Sequence, residues 1–213
     1  MKKLLLTVIL SLIASSIYAK GITANFAESW PAITEYTSSK VNVLVIDNRS
    51  YVLTGSKKET FVGIARNGYG VPFDINTDSE QPLSRDIETA VFKGFMNAGV
   101  DSVVVEPAGR GNRKANGLNE RLLVITISEW KSDSFRSIYF TYKVNADIYN
   151  NEGKLLASNS VEDAKSFSSP LDAGREALSR LLNSKEITKA LSDTNEAASN
   201  KQAAKEQIGV GSK

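Results

Sequence analysis

Apolar and polar positions along the chain alternate with two periods. Val41-Asn42-Val43-Leu44-Val45-Ile46 is an almost unbroken β-branched run that ends in the turn-forming cluster Asp47-Asn48-Arg49-Ser50, the pattern of a buried strand. From Pro82 to Ala98 the period changes. Leu83, Ile87, Ala90, Val91 and Phe95 recur at three- and four-residue steps, Asp86 and Glu88 sit near the N-terminal end, and Gly99 can supply the C′ position. This predicts an amphipathic helix. Asp101 to Val105 returns as a strand. Period two then dominates: Leu123, Ile125 and Ile127 share one face, and in the next segment Ile138, Phe140, Tyr142, Val144, Ala146 and Ile148 point one way while Thr141, Lys143, Asn145 and Asp147 point the other. Strands with one wet face mark an antiparallel sheet. Turns are expected at Lys131–Ser134 and at Asn150-Asn151-Glu152-Gly153, with a third strand from Lys154 to Val161. A helical region with an apolar stripe runs from Pro170 to about Ser192, broken near Asn183-Ser184.

The order β-α-β-β-β-α predicts an α+β fold: a mixed, mostly antiparallel sheet with helices packed on one face. Residues 41–192 form the single domain. Residues 20–40 read as a lead-in segment whose apolar footholds are Trp30-Pro31 and Ile33, with a short edge strand near Pro31 to Tyr36. Residues 50–80 read as a long polar connection with Phe61-Val62-Gly63-Ile64 as a short strand inside it; connections of this length are more often functional than idle. Residues 193–213 hold too little apolar surface to pack and read as a polar, disordered tail.

The N-terminal residues add location. Lys2 and Lys3 precede an apolar stretch, Leu4 to Ile13, and Ile17-Tyr18-Ala19 ends in small-residue cleavage chemistry. Residues 1–19 are expected to be a secretory signal peptide cut between Ala19 and Lys20, its apolar run much shorter than the roughly 20 residues that span a bilayer. Cleavage places the mature chain in the periplasm without a stable membrane anchor. Lys2 and Lys3 leave with the leader, so the 26 basic residues fall to 24, equal to the 24 acidic ones. A neutral chain has no bulk electrostatic reason to bind nucleic acid.

The chain contains neither cysteine nor histidine. Disulfide staples, a lipidated cysteine and Ser–His or Cys–His nucleophile pairs are therefore impossible, and the commonest zinc ligand is missing. The expectation is a protein that is not an enzyme and uses no cofactor. Gly63-Ile64-Ala65-Arg66-Asn67-Gly68-Tyr69-Gly70 opens no helix and lacks a following Gly-Lys-Ser/Thr, so it is not a phosphate cradle. Its Arg66 and Tyr69, with Phe73, remain candidate partner contacts. Arg110, Arg113 and Lys114 form a cationic loop that reads as a solvated turn in preference to an anion- or lipid-headgroup-binding site. Asp47 and Arg49 end the first strand, where ligands gather in α/β sheets, but they serve equally well as an ion pair or turn cap. Trp130, Phe135, Tyr139 and Tyr149 lie on or near the polar side of the long hairpin, either as a protein-binding patch or covered by a neighbouring loop.

These elements together resemble the YajG-like family of envelope lipoproteins, within the broader set of periplasmic domains similar to the N-terminal domain of TolB. The residues that carry the resemblance are Val43-Leu44-Val45-Ile46 running into Asp47-Asn48-Arg49, then Phe61-Val62-Gly63 with Gly68-Tyr69-Gly70-Val71-Pro72-Phe73-Asp74, then Pro82-Leu83 opening a helix that closes on Ala98-Gly99-Val100. The resemblance spans residues 41–192 and implies an exported, non-catalytic domain that works through contacts with envelope proteins in assembly or maintenance of the cell surface. It transfers no catalytic residue. Ala19 and Lys20 stand where the lipoproteins have cysteine, which favours a released form. The alternative reading is a periplasmic domain that binds a small ligand or glycan through the 50–80 loop and the cationic loop at 109–117.

Overall fold

A computed structural model of the chain describes residues 22–34, 40–105 and 120–192. The leader with its Ala19–Lys20 junction, the cationic loop at Arg110, Arg113 and Lys114, and the tail from 193 lie outside the described residues. In chain order the elements are β1 (Thr23–Ala24), a 3-10 turn (Phe26–Glu28), β2 (Lys40–Asp47), α1 (Ser50–Leu53), β3 (Phe61–Arg66), β4 (Pro72–Thr77), α2 (Leu83–Asn97), β5 (Ser102–Val104), β6 (Glu120–Ser134), β7 (Ile138–Tyr149), β8 (Leu155–Phe167), α3 (Pro170–Leu182) and α4 (Lys185–Ser192).

All eight strands form one mixed sheet, and the fold is α+β. Its organising element is β6. Along one edge it pairs antiparallel with the whole of β7, which in turn pairs with β8. Along its other edge two shorter strands lie end to end: β2 runs parallel to Glu120–Ile127, and β3 runs parallel to Ser132–Ser134. The core lies between the sheet and α2, α3 and α4, and draws Val41, Val43 and Val45 from β2, Leu123, Ile125 and Ile127 from β6, and Phe140, Tyr142, Val144, Ala146 and Ile148 from β7. Helix α2 contributes Leu83, Ile87, Ala90, Val91 and Phe95 and ends with Gly99 at a φ of 74°. Pro170 occupies the first turn of α3, where Ser169 Oγ accepts from the Asp172 amide at 3.0 Å. No helix among the described residues is long and apolar enough to cross a membrane.

Four local expectations are corrected. The 50–80 stretch holds the expected short strand at Phe61–Ile64 as part of β3, but it also holds α1 and a second strand, β4, which closes a hairpin with β3. Its many polar and glycine residues mask short strands lying near a sheet edge. The first long hairpin turns after Ser134, not over Lys131–Ser134. A bulge between Ile127 and Glu129 inserts one residue into β6, and this swaps the faces of every later position. Trp130 and Ser132 thereby turn into the core, while Lys131 and Asp133 turn out.

Residues 22–34 are more than a lead-in. Residues 31–34 form no strand; the strand residues are Thr23–Ala24, paired with β4. The segment that follows is a strap between α2 and α3 with Phe26, Ser29 and Pro31 buried. Two helical glycines make room for it. A Cβ on Gly94 would lie 2.7 Å from Pro31 Cγ, and one on Gly174 would lie 2.9 Å from Ser29 Cβ. Ser179 Oγ and Asn183 hold the backbone of Ala32, and Lys93 bonds Glu28 at 2.7 Å.

Candidate functional site

The end-to-end placement of β2 and β3 leaves a break in the ladder opposite residues 128–131 of β6. Backbone groups there have no strand partner on that side, and a buried unpaired carbonyl is costly. Asp47, Arg49 and Tyr51 fill the break. The Arg49 guanidinium is completely buried and donates to Asp47 from Nε at 2.8 Å and from Nη2 at 2.7 Å. It also donates to the carbonyls of Glu59 at 3.0 Å, of Phe61, and of Trp130 at 3.4 Å. Tyr51 Oη reaches Glu129 Oε1 at 2.8 Å and the Trp130 carbonyl at 3.2 Å. Burial opposes the charge on Arg49, yet the Asp47 hydrogen bonds and charge outweigh it and raise the guanidinium pKa. Burial likewise pushes the Tyr51 phenol up, so it is a neutral donor at any physiological pH. Every Arg49 nitrogen is engaged with the protein itself. Of the alternatives open in the sequence, the geometry matches the ion pair.

Trp130 belongs to the same junction through its carbonyl, but its ring is 0% exposed in the core. It stacks edge-on to Phe26 and Phe140, each at 5.4 Å. The bulge is the physical reason that it is not part of an exposed patch. Tyr149 is half-buried beside a small second cluster of Leu44, Leu122 and Val124.

The remaining candidates converge elsewhere. Arg66 is the last residue of β3, and it forms a two-pronged pair with Asp133 of β6 at 3.0 and 2.8 Å. That pair holds the Asp133 carboxyl below the usual carboxylate range. Asp133 is the cross-strand partner of Tyr139, and Ala65 is that of Phe73. The β3–β4 turn and the β6–β7 turn therefore sit at one end of the sheet. Exposed there are Tyr69 (95%), Val71, Phe73 (48%), Phe135 and Tyr139 (46%), with Arg136 lying 5.7 Å from the Phe135 ring. Asn67 Oδ1 accepts from the amides of Tyr69 and Val71, each at 3.0 Å, and stiffens the tip. Five large apolar side chains exposed on or beside these two turns concentrate apolar area at one end of the sheet. The sequence singled out Arg66, Tyr69, Phe73, Phe135 and Tyr139; Val71 and Arg136 were missed, because an isolated Val or Arg in a turn carries no pattern of its own.

A shallow groove of about 360 Å³ lies farther along, between the loop after α1 and strand β4, lined among others by Lys57, Lys58, Asp74 and Asn76. Lys57 is already paired with Asp74 at 2.5 Å and sits 4.6 Å over the Phe61 ring. Among the described residues no group of three acidic side chains is placed to hold a metal ion.

No protein-family model matches the chain, and no curated protein matches it. Among solved structures it is similar to XCC0632 from Xanthomonas campestris, a DUF330 protein, at 17% identity and a TM-score of 0.46, over 84% of this chain and 94% of that one. It is also similar to the PelC dodecamer from Paraburkholderia phytofirmans at 10% identity and a TM-score of 0.43, over 75% and 92% of the two chains. Likeness at this level assigns neither a family nor a function.

Proposed function

We propose that this chain is an exported, non-catalytic protein of the YajG-like kind, released into the periplasm after cleavage at Ala19–Lys20, that acts through contacts with one or more envelope proteins in assembly or maintenance of the cell surface. The observation that carries the reading is the aromatic sheet end: Tyr69, Phe73, Phe135 and Tyr139 are all exposed at the one end of the sheet where the Arg66–Asp133 pair ties β3 to β6. Exposed aromatics on rigid turns lose little conformational entropy on binding and carry much of the energy at protein interfaces. The absence of histidine and cysteine from the sequence supports a non-catalytic role, and so does the mutual consumption of Asp47 and Arg49.

The test compares the wild type with Tyr69→Ser/Phe73→Ser in crosslinking and capture from whole envelopes, with mass spectrometry of the mature N-terminus. The expected result is a mature chain beginning at Lys20 and a specific envelope protein captured by the wild type and lost with the double variant. Equal capture by both, or a chain retained in washed membranes, would sink the reading. The groove at Lys57, Asp74 and Asn76 supports a second reading, a domain that binds a small polar ligand or glycan. Calorimetric titration with periplasmic glycans and a Asp74→Ala control decides it.

A further inference from the structure

From Ile22 onward the backbone is committed to the fold. The Ile22 carbonyl accepts from the Asn76 amide at 3.2 Å and the Ala24 carbonyl from the Asp78 amide at 3.0 Å, while Thr23 Oγ1 donates to Asp78 Oδ1 at 2.9 Å. Phe26 follows directly, 1% exposed and edge-on to Trp130, and Lys93 Nζ donates to the Ala27 carbonyl at 3.4 Å. The strap therefore has little slack at its N-terminal end. Its first fixed carbonyl belongs to the third residue after the proposed cut between Ala19 and Lys20. Three residues at full extension span about 10 Å, and a domain of this size is roughly 40 Å across. An endoprotease takes its substrate as an extended strand and pairs with backbone on both sides of the bond it cuts. A folded body held about 10 Å from that bond blocks such a cleft, and the Ile22 carbonyl is already given to Asn76.

We infer that cleavage at Ala19–Lys20 must precede docking of the strap, and that a chain which folds first becomes resistant to the signal peptidase. The inference rests on the cleavage proposed above. Cutting a folded chain requires the strap to open: β1 must leave β4, and Phe26 must leave the core. The rate of cutting then follows the population of that opened form. The direction of the strand shows what the order of events decides. β1 runs parallel to β4, with Thr23 opposite Asn76 and Ala24 opposite Thr77, so the backbone enters β1 from the Pro72 end of β4. That is the end carrying Tyr69, Val71 and Phe73. A chain folded uncut keeps its leader at the aromatic end of the sheet, where the proposed partner contact lies.

Timed cleavage of the full-length precursor tests the inference. The chain is purified in urea and diluted into detergent with signal peptidase either present from the start or added once far-ultraviolet circular dichroism shows folding to be complete. Mass spectrometry identifies the product. The expected result is a chain beginning at Lys20 in the first arm and cleavage slower by about tenfold or more in the second. A precursor with Gly-Ser-Gly-Ser-Gly-Ser inserted between Gly21 and Ile22 keeps the strap residues and lengthens the tether to about 30 Å at full extension. Its folded form is expected to be cut as fast as the unfolded wild type. Equal rates for folded and unfolded wild type overturn the inference, and so does a folded insertion variant that stays resistant. A precursor left uncut at Ala19–Lys20 even in the first arm overturns the cleavage reading itself and the inference with it, so the two failures are told apart by that arm.

Discussion

Replacing Arg49 by Met tests whether the most site-like polar group of the sequence is a structural plug. Met keeps the side chain's length and apolar stem but removes all the donors. Asp47, whose side chain is 10% exposed, then loses both charged hydrogen bonds and keeps only the Arg49 amide at 3.2 Å. The carbonyls of Glu59, Phe61 and Trp130 lose a donor at the same time. Breaking a buried ion pair by removing one partner costs about 3–5 kcal/mol, and each orphaned buried acceptor adds about 1 kcal/mol unless water reaches it. Because these terms overlap, the expected loss is about 4 kcal/mol, a large share of the roughly 5–15 kcal/mol that holds a typical domain together. Urea unfolding followed by far-ultraviolet circular dichroism measures it. Asp47→Asn with Arg49→Met closes a double-mutant cycle, with an expected coupling of about 2 kcal/mol or more. A loss under about 1 kcal/mol, the size of an exposed pair, would refute the plug. A ligand-binding Arg49 would show the reverse pattern, with stability kept and binding lost.

Three further outcomes follow from the packing. Gly63→Ala places a Cβ 2.2 Å from Ser132 Oγ and 2.6 Å from the Ser132 carbonyl oxygen, so β3 must part from β6; a loss of about 3 kcal/mol is expected in the same unfolding assay. Gly94→Ala would normally stabilise a helix by about 1 kcal/mol, but here the methyl meets Pro31, and a net loss of about 1 kcal/mol in thermal unfolding is expected. Asp86 is buried, with Oδ1 accepting from Ser79 at 2.6 Å and Oδ2 unpartnered; burial raises its pKa, the Ser79 hydrogen bond opposes the rise, and Asp78 adds to it. Its favourable contribution is therefore full below the ordinary aspartate range and is lost as pH rises through the folded value. Asp86→Asn is expected to stabilise the chain by about 1 kcal/mol at neutral pH, with the gain shrinking as pH falls, and stability measured from acid to neutral pH checks the sign.

What the sequence disclosed depended on how far each pattern ran. Helix α2, the alternation of β7 and the division of the last helical region near Asn183 were legible because each repeats over many residues. Trp130 was not, since a single inserted residue at the bulge reverses the meaning of alternation and leaves no compositional trace. The strap was hidden for a different reason. Phe26, Ser29 and Pro31 are too few to show a period, and their burial depends on Gly94 and Gly174, which lie far along the chain and are unremarkable in their own helices.

The candidate site divided for a reason that strand order makes plain. Polar residues at a strand end give one signal in sequence whether they await a ligand or close a gap in a ladder, and only the placement of β2 and β3 along one edge of β6 distinguishes the two. Asp47, Arg49 and Tyr51 lie at that gap, and their hydrogen bonds account for their chemistry. No comparable structural demand accounts for Tyr69, Val71 and Phe73. Tyr69, 95% exposed, adds nothing to the core and sits between Gly68 and Gly70, where a polar side chain would satisfy the turn equally well. Apolar surface that folding does not need is the part of this molecule left for a partner to cover, and it is held at the end of the sheet by a hairpin that the Arg49 plug anchors through the Glu59 and Phe61 carbonyls. Stability at the plug and contact at the tip are therefore coupled: an Arg49→Met chain that still folds should show weaker partner capture without any change in the Tyr69 and Phe73 side chains.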